Sequence, residues 1–215
     1  PDIQRYLRDV SSTYDISQLN AQALKVDSHE LGWRVNGNNW QGQIAVYENT
    51  SDVTQFYDAQ DRVLRLINQK ERVRGFETDV AYRLSDVWSA GGTYSWVKGE
   101  TRQAGKWIDL PATRVSPAKT TVFAEYAPDS YSIRLQALHL ASYDAAAKDN
   151  NGRPIKGYTL FDLLGSRRLS VGRMEGGIYN VNNRQYHALF SQATARAPFS
   201  YAQGRTIGIS YALDF

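Results

Sequence analysis

The side chains able to do chemistry in this sequence are suited to binding rather than to making bonds. Cysteine is absent, and the three histidines, His29, His139 and His187, are far apart. A disulfide scaffold, a thiolate nucleophile and a thiolate or histidine metal cluster are thereby excluded. No Gly-rich phosphate loop, G-x-S-x-G turn or H-E-x-x-H pair occurs, so an enzyme is not expected. Asp149-Asn150-Asn151-Gly152 has the composition of a calcium loop but lacks its spaced carboxylates and distal glutamate, and reads as a plain turn. Two sets of residues remain. Glu30, Arg34, Glu77, Asp79, Arg83, Glu125, Arg134 and Asp162 sit opposite apolar positions and can form ion pairs and charge-assisted hydrogen bonds. Arg102, Lys106, Trp107, Tyr143, His187, Arg196 and Tyr201 fall in longer irregular stretches, where cationic and aromatic groups can attract and stack on an anion. The 25 Lys+Arg against 22 Asp+Glu leave a net charge of +3 over 215 residues. That balance excludes an acidic disordered tail and a polybasic nucleic-acid arm.

The elements that position these residues read as strands. No stretch approaches the roughly 20 apolar residues of a spanning helix; the run 135–141 is short and is interrupted by His139. A membrane β-barrel asks less, about 10 residues per strand with every second one apolar, and is hydrophilic on average because its other face is wet. Ile207, Ile209, Tyr211, Leu213 and Phe215 alternate with Thr206, Gly208, Ser210, Ala212 and Asp214. The same period of two runs through Leu31/Trp33/Val35, Phe76/Val80/Tyr82, Trp88/Ala90/Gly92/Tyr94/Trp96 and Tyr131/Ile133/Leu135/Ala137. It also runs through Val122/Ala124/Tyr126, where Phe123 falls on the polar parity. With 40–50, 158–169 and 173–180, nine strands are predicted, the first over about 25–36.

Their connections alternate in length. Asn36-Gly37-Asn38-Asn39, Leu84-Ser85-Asp86, Pro128-Asp129-Ser130 and Ser170-Val171-Gly172 are tight turns. The others, 101–117, 144–156 and 181–203, are long, with a shorter one near 57–63. Short turns at one end and long loops at the other are the habit of transmembrane barrels. Trp33, Tyr82, Trp88, Tyr126 and Tyr131 lie near the tight turns, and Tyr47, Trp96 and Tyr158 toward the other ends, as two interfacial girdles would. The expected fold is therefore all-β, an antiparallel transmembrane barrel. No signal peptide is visible after Pro1 and a bacterial barrel needs an even strand number. Residues 1–24 are accordingly expected to form an external loop, and 25–215 the C-terminal strands and loops of a larger barrel domain.

Several motifs then carry a resemblance. His29-Glu30-Leu31-Gly32-Trp33-Arg34 resembles the Y-E-L-G-x-(K/R) strand of TonB-dependent outer-membrane receptors. Arg74-Gly75-Phe76-Glu77 is similar to their x-G-x-E strand, Pro117-Ala118-Lys119 to P-x-(H/K), and Tyr158-Thr159-Leu160-Phe161-Asp162 to Y-x-x-x-D. The run Tyr179-Asn180-Val181-Asn182-Asn183-Arg184-Gln185-Tyr186 resembles N-L-(F/T)-(D/N)-(K/R)-x-Y, and Gly204-Arg205-Thr206 with terminal Phe215 resembles the family's last strand. His29 and Val181 depart from the pattern, which otherwise holds in order over about residues 28–215.

The resemblance implies a Gram-negative outer-membrane barrel of about 22 strands with a plugged lumen, of which this chain would supply the last nine. It further implies active import of a ferric siderophore, with energy from TonB acting through a TonB box and plug domain outside this segment. A passive porin-like channel or an outer-membrane adhesin is the alternative. The eight charged wall residues would then face lumen and plug. Arg102, Trp107, Tyr143, His187, Arg196 and Tyr201 would meet the chelate. Phe215 would be read by the barrel assembly machinery. Iron would arrive as a chelate, with no cofactor or metal bound directly by this segment.

Overall fold

The computed structural model describes residues 25–58, 63–144, 154–194 and 200–213. Residues 1–24, the turn at 149–152, Arg196 and Phe215 lie outside these, and with them the expected external loop, one ligand candidate and the assembly signal.

Nine strands lie side by side in the order β1 (Val26–Asn36), β2 (Trp40–Ser51), β5 (Glu71–Arg83), β6 (Trp88–Gln103), β8 (Lys119–Tyr126), β9 (Tyr131–Leu140), β10 (Tyr158–Arg168), β11 (Arg173–Tyr179) and β12 (Thr206–Ala212). Every neighbouring pair is antiparallel and follows the chain, so the sheet is an up-and-down meander. These are the nine strands predicted. At one end the turns are tight: Gly37 N–H donates to Trp40 O (2.7 Å), Leu84 N–H to Trp88 O (2.9 Å) and Leu169 N–H to Gly172 O (3.0 Å).

The opposite end is more built than the sequence suggested. The connection expected near 57–63 is a second hairpin, β3 (Thr54–Asp58) with β4 (Val63–Ile67), in a separate two-stranded sheet. The loop expected to start at residue 101 starts later, because β6 runs on to Gln103 and β7 (Lys106–Asp109) folds back against it. Ala104 (φ 48°) and Gly105 (φ 80°) both take the left-handed conformation that a two-residue hairpin turn requires. The connection after β11 carries a short helix, α1 (Leu189–Thr194).

Pairing fixes which side chains share a face, because partners point the same way and a one-residue slip would invert a strand. One face carries Leu31, Trp33, Ile44, Val46, Phe76, Trp96, Val122, Leu135, Leu163 and Ile209 in matched rows. It is open: Leu31 is 74%, Trp33 71% and Ile209 78% exposed. Among the described residues no helix is long and apolar enough to cross a membrane, but this face is a continuous apolar belt that strands could carry through one. Near the tight turns it ends in Trp33, Trp40, Tyr82, Trp88, Tyr126 and Tyr131, the lower girdle. The upper girdle keeps Trp96 but loses Tyr47 and Tyr158. Tyr47 pairs with Glu30 and Tyr158 with Leu140, both on the other face. Height along a strand placed them, whereas parity decides the side.

Among the described residues the wall has no conventional core. The buried apolar residues Val53, Leu110, Ala112, Val115, Leu140 and Ile155 all gather at the loop end. There Leu110 and Val115 pack on Gly99, where an added Cβ would come within 2.5 Å of Val115 and 2.8 Å of Leu110.

Candidate functional site

The polar face holds all eight charged wall residues. Arg34 donates to Gln43 Oε1 (3.0 Å) on the neighbouring strand. Arg134 lies 3.3 Å from Glu125 and over the Phe123 ring, 3.9 Å from its centroid. Phe123, the residue that broke the alternation of β8, is thus a platform for a cation. Gln136 donates to Asp162 (3.1 Å), whose other oxygen accepts the Asn180 backbone N–H (2.8 Å). Glu30, Glu77, Asp79 and Arg83 occupy the polar face of β1 and β5 and make no ion pair with a described residue. Three carboxylates there remain available to a partner.

At the loop end two anchors hold the connections. The first is ionic. Above the Phe76–Trp96 row, the same outward face continues into Arg74–Lys98, Arg72–Glu100 and, across the hairpin, Glu100–Asp109. Glu100 accepts from Arg72 (2.8 Å), Arg74 (2.9 Å) and Lys98 (2.9 Å), and Lys98 also reaches Asp109 at 3.6 Å. At about 3.3 Å per residue, Glu100 stands some 13 Å along the strand beyond Trp96, outside the hydrocarbon. Hydrogen bonds from Arg72 and then Lys98 hold its carboxyl down at about 2, against the opposing effect of burial. On the polar side of the same strands, Glu71 accepts from Thr54 (2.6 Å) and pairs with Arg114 (2.7 Å).

The second anchor is built mainly on amide side chains. Strand β11 stops because Asn180 turns left-handed (φ 53°). Its side-chain oxygen accepts the Arg184 N–H (2.8 Å), and its amide donates to Arg184 O (3.0 Å) and Gln203 O (3.2 Å). Asn183 accepts the Arg205 N–H (3.0 Å), and the Arg205 guanidinium returns to Val181 O (2.7 Å). On α1, the buried Gln192 accepts the Lys156 N–H (2.9 Å) and donates to Lys156 O (3.1 Å) and His187 O (2.8 Å).

The ligand candidates divide accordingly. Arg102 and Trp107 pair with each other on the outward face, and Trp107 packs 4.6 Å from the Arg72 guanidinium, so both turn away from the wall's polar side. They were placed by loop membership, whereas β6 and β7 are strands with a parity. Lys106 sits on the polar side opposite Gln103. Tyr143 is a strut: its hydroxyl donates to Leu110 O (2.6 Å), and burial, with Asp109 nearby, pushes its phenol up. His187 and Tyr201 stack at 4.4 Å, with Tyr201 68% exposed. Among the described residues no group of three His, Asp or Glu could hold a metal ion. The anchors themselves, Arg72, Arg74, Glu100, Asn180 and Gln192, were missed. The signals on hand were the charge alternation across Arg72/Arg74 and Lys98/Glu100 and, for Asn180, its place in the 179–186 motif.

A single-layer antiparallel meander with a lipid-ready belt, a charged inner wall and elaborated loops at one end is the wall of a transmembrane barrel. The chain matches the TonB dependent receptor-like β-barrel family over residues 4–181 and belongs to it. Like other members it lies in the outer membrane of a Gram-negative bacterium. It is 34% identical over 96% of its length to the ferric aerobactin receptor of Escherichia coli, spanning 29% of that protein. It is 26% identical over 88% of its length to the rhizobactin receptor of Rhizobium meliloti (strain 1021), spanning 26% of it. The FrpB iron transporter from Neisseria meningitidis superposes with a TM-score of 0.72 at 15% identity, over 89% of this chain and 31% of that one.

Proposed function

We propose that this chain is part of the barrel of an importer that takes up a ferric siderophore and is energised through TonB. The observation that carries the reading is its 34% identity, over nearly its whole length, to a ferric aerobactin receptor. The chemistry is compatible. With no metal-ligating cluster among the described residues, recognition would act on the chelator's surface rather than on iron. Stacked His187 and Tyr201 are the candidates for that contact. Glu30, Glu77 and Asp79, which make no ion pair with a described residue, would seat the plug through charge-assisted hydrogen bonds. Phe215 would serve assembly.

The test is uptake of radioiron as ferric aerobactin by cells whose only siderophore receptor is the full-length protein, with and without TonB. Uptake that needs both supports the proposal. Uptake independent of TonB would make the barrel a passive channel, and no uptake would remove this chelate class.

A further inference from the structure

We propose that the outward ionic cluster around Glu100 binds the phosphate of an anionic lipid headgroup in the outer leaflet. The inference rests on the membrane placement of the barrel and is independent of what the barrel imports. Three observations carry it.

The first is height. Phe76 and Trp96 form the last apolar row of the lipid face, and the next rows up on that face are Arg74–Lys98 and Arg72–Glu100. With strands tilted by about 45°, two and four residues of rise put these rows about 5 and 9 Å above the girdle. The headgroup layer occupies roughly that interval.

The second is charge. Arg72, Arg74 and Lys98 converge on one carboxylate, and Asp109, 3.6 Å from Lys98, is the other acid in reach. Three cations and two acids leave +1; on the neighbouring rows Arg102 adds a cation beside Trp107 and Glu48 an acid opposite Arg74.

The third is depth. The Glu100 side chain is only 9% exposed, whereas those of Arg74 and Lys98 are each 40% exposed. The acid is inside and the cations are outside, so the cluster presents a positive surface that its own carboxylate holds in place. A phosphate matches arginine's forked donors and would complete the neutralisation. A free protein partner would have to enter the headgroup layer to reach these rows, whereas a lipid is already there.

The full-length receptor, reconstituted in phosphatidylcholine vesicles, can be titrated with diphosphoryl lipid A, its monophosphoryl form or inorganic phosphate, following thermal unfolding. Stabilisation in the order diphosphoryl, monophosphoryl, with none from inorganic phosphate at equal concentration, is expected. In Arg74→Gln with Lys98→Gln, the apparent affinity should fall about fivefold for each cation removed. Since these changes strand Glu100 and could loosen the hairpin, the triple variant that adds Glu100→Gln removes that stranded acid, leaves the site neutral rather than +1, and should still bind more weakly than wild type. Equal stabilisation by the diphosphoryl and monophosphoryl forms, stabilisation by inorganic phosphate that matches theirs, or wild-type affinity in both variants, would overturn the proposal.

Discussion

The two anchors at the loop end solve one problem by different physics. On the β5–β6 side the wall is tall, with 16 residues in β6, and its upper part is tied by ions on both faces. On the β11 side the strand ends after 7 residues, and the chain crosses back to β12 held by amide side chains. A tall wall brings charged side chains of adjacent strands into register, where they can pair. A chain that has left the sheet exposes orphan peptide groups, which neutral amides can satisfy without bringing a charge that needs its own partner.

Both anchors presuppose a common wall in lipid, and the largest expected effect tests it. Ile209→Arg should cost about 2–4 kcal/mol in vesicle unfolding, and Ser210→Arg much less. Comparable losses would show that the assigned register is wrong, and a larger loss at Ser210 would invert the faces and, with them, the side on which the ionic anchor sits. Next, Asn180→Ala removes three hydrogen bonds at a left-handed residue, an expected loss of about 2–3 kcal/mol. Hydrogen exchange should quicken across 181–186 and 203–206 while the Leu110 amide, bonded to Gly99 O, stays protected. Glu100→Gln should do the converse, exposing Leu110 to exchange at a local cost of about 1–2 kcal/mol. If either substitution loosens both regions, the anchors are one cooperative unit.

Acid gives the smallest and most selective effect. Glu100 is lowered from 4.5 to about 2 in the folded protein, so its contribution is full above pH 4.5 and is lost as pH falls through about 2. Exchange at Leu110, corrected for its intrinsic pH dependence, should rise over that window while the amide-held segment is unchanged. A parallel response in both would show that charge supports the second anchor too.

Period-two alternation and Asn-Gly chemistry made the nine wall strands and their tight turns legible, because each depends on residues adjacent in sequence. What escaped the sequence depends on partners far away. Asn180 stood in a recognisable motif, but its work as an anchor depends on Asp162 and Gln203, 18 and 23 residues distant. Thr101 and Arg102 read as loop because no apolar residue marks the outer face there. Their parity becomes readable only once β6 is known to continue to Gln103. Arg102 and Trp107 were misplaced for that reason.

The amide anchor has a bearing on how such a barrel can change its cargo. Gln192 and Asn180 grip main-chain groups: the Lys156 N–H and C=O, and the carbonyls of His187, Arg184 and Gln203. Peptide groups are the same whatever side chain they carry. Residues 156, 187 and 203 can therefore be exchanged for others without loosening the grip. The ionic anchor lacks that freedom, since altering one of its members strands the rest. On the proposed import function, novelty in ligand preference should thus accumulate more readily in the loop above β11 than in the hairpin above β6, and a selection for altered chelate specificity should return its substitutions there.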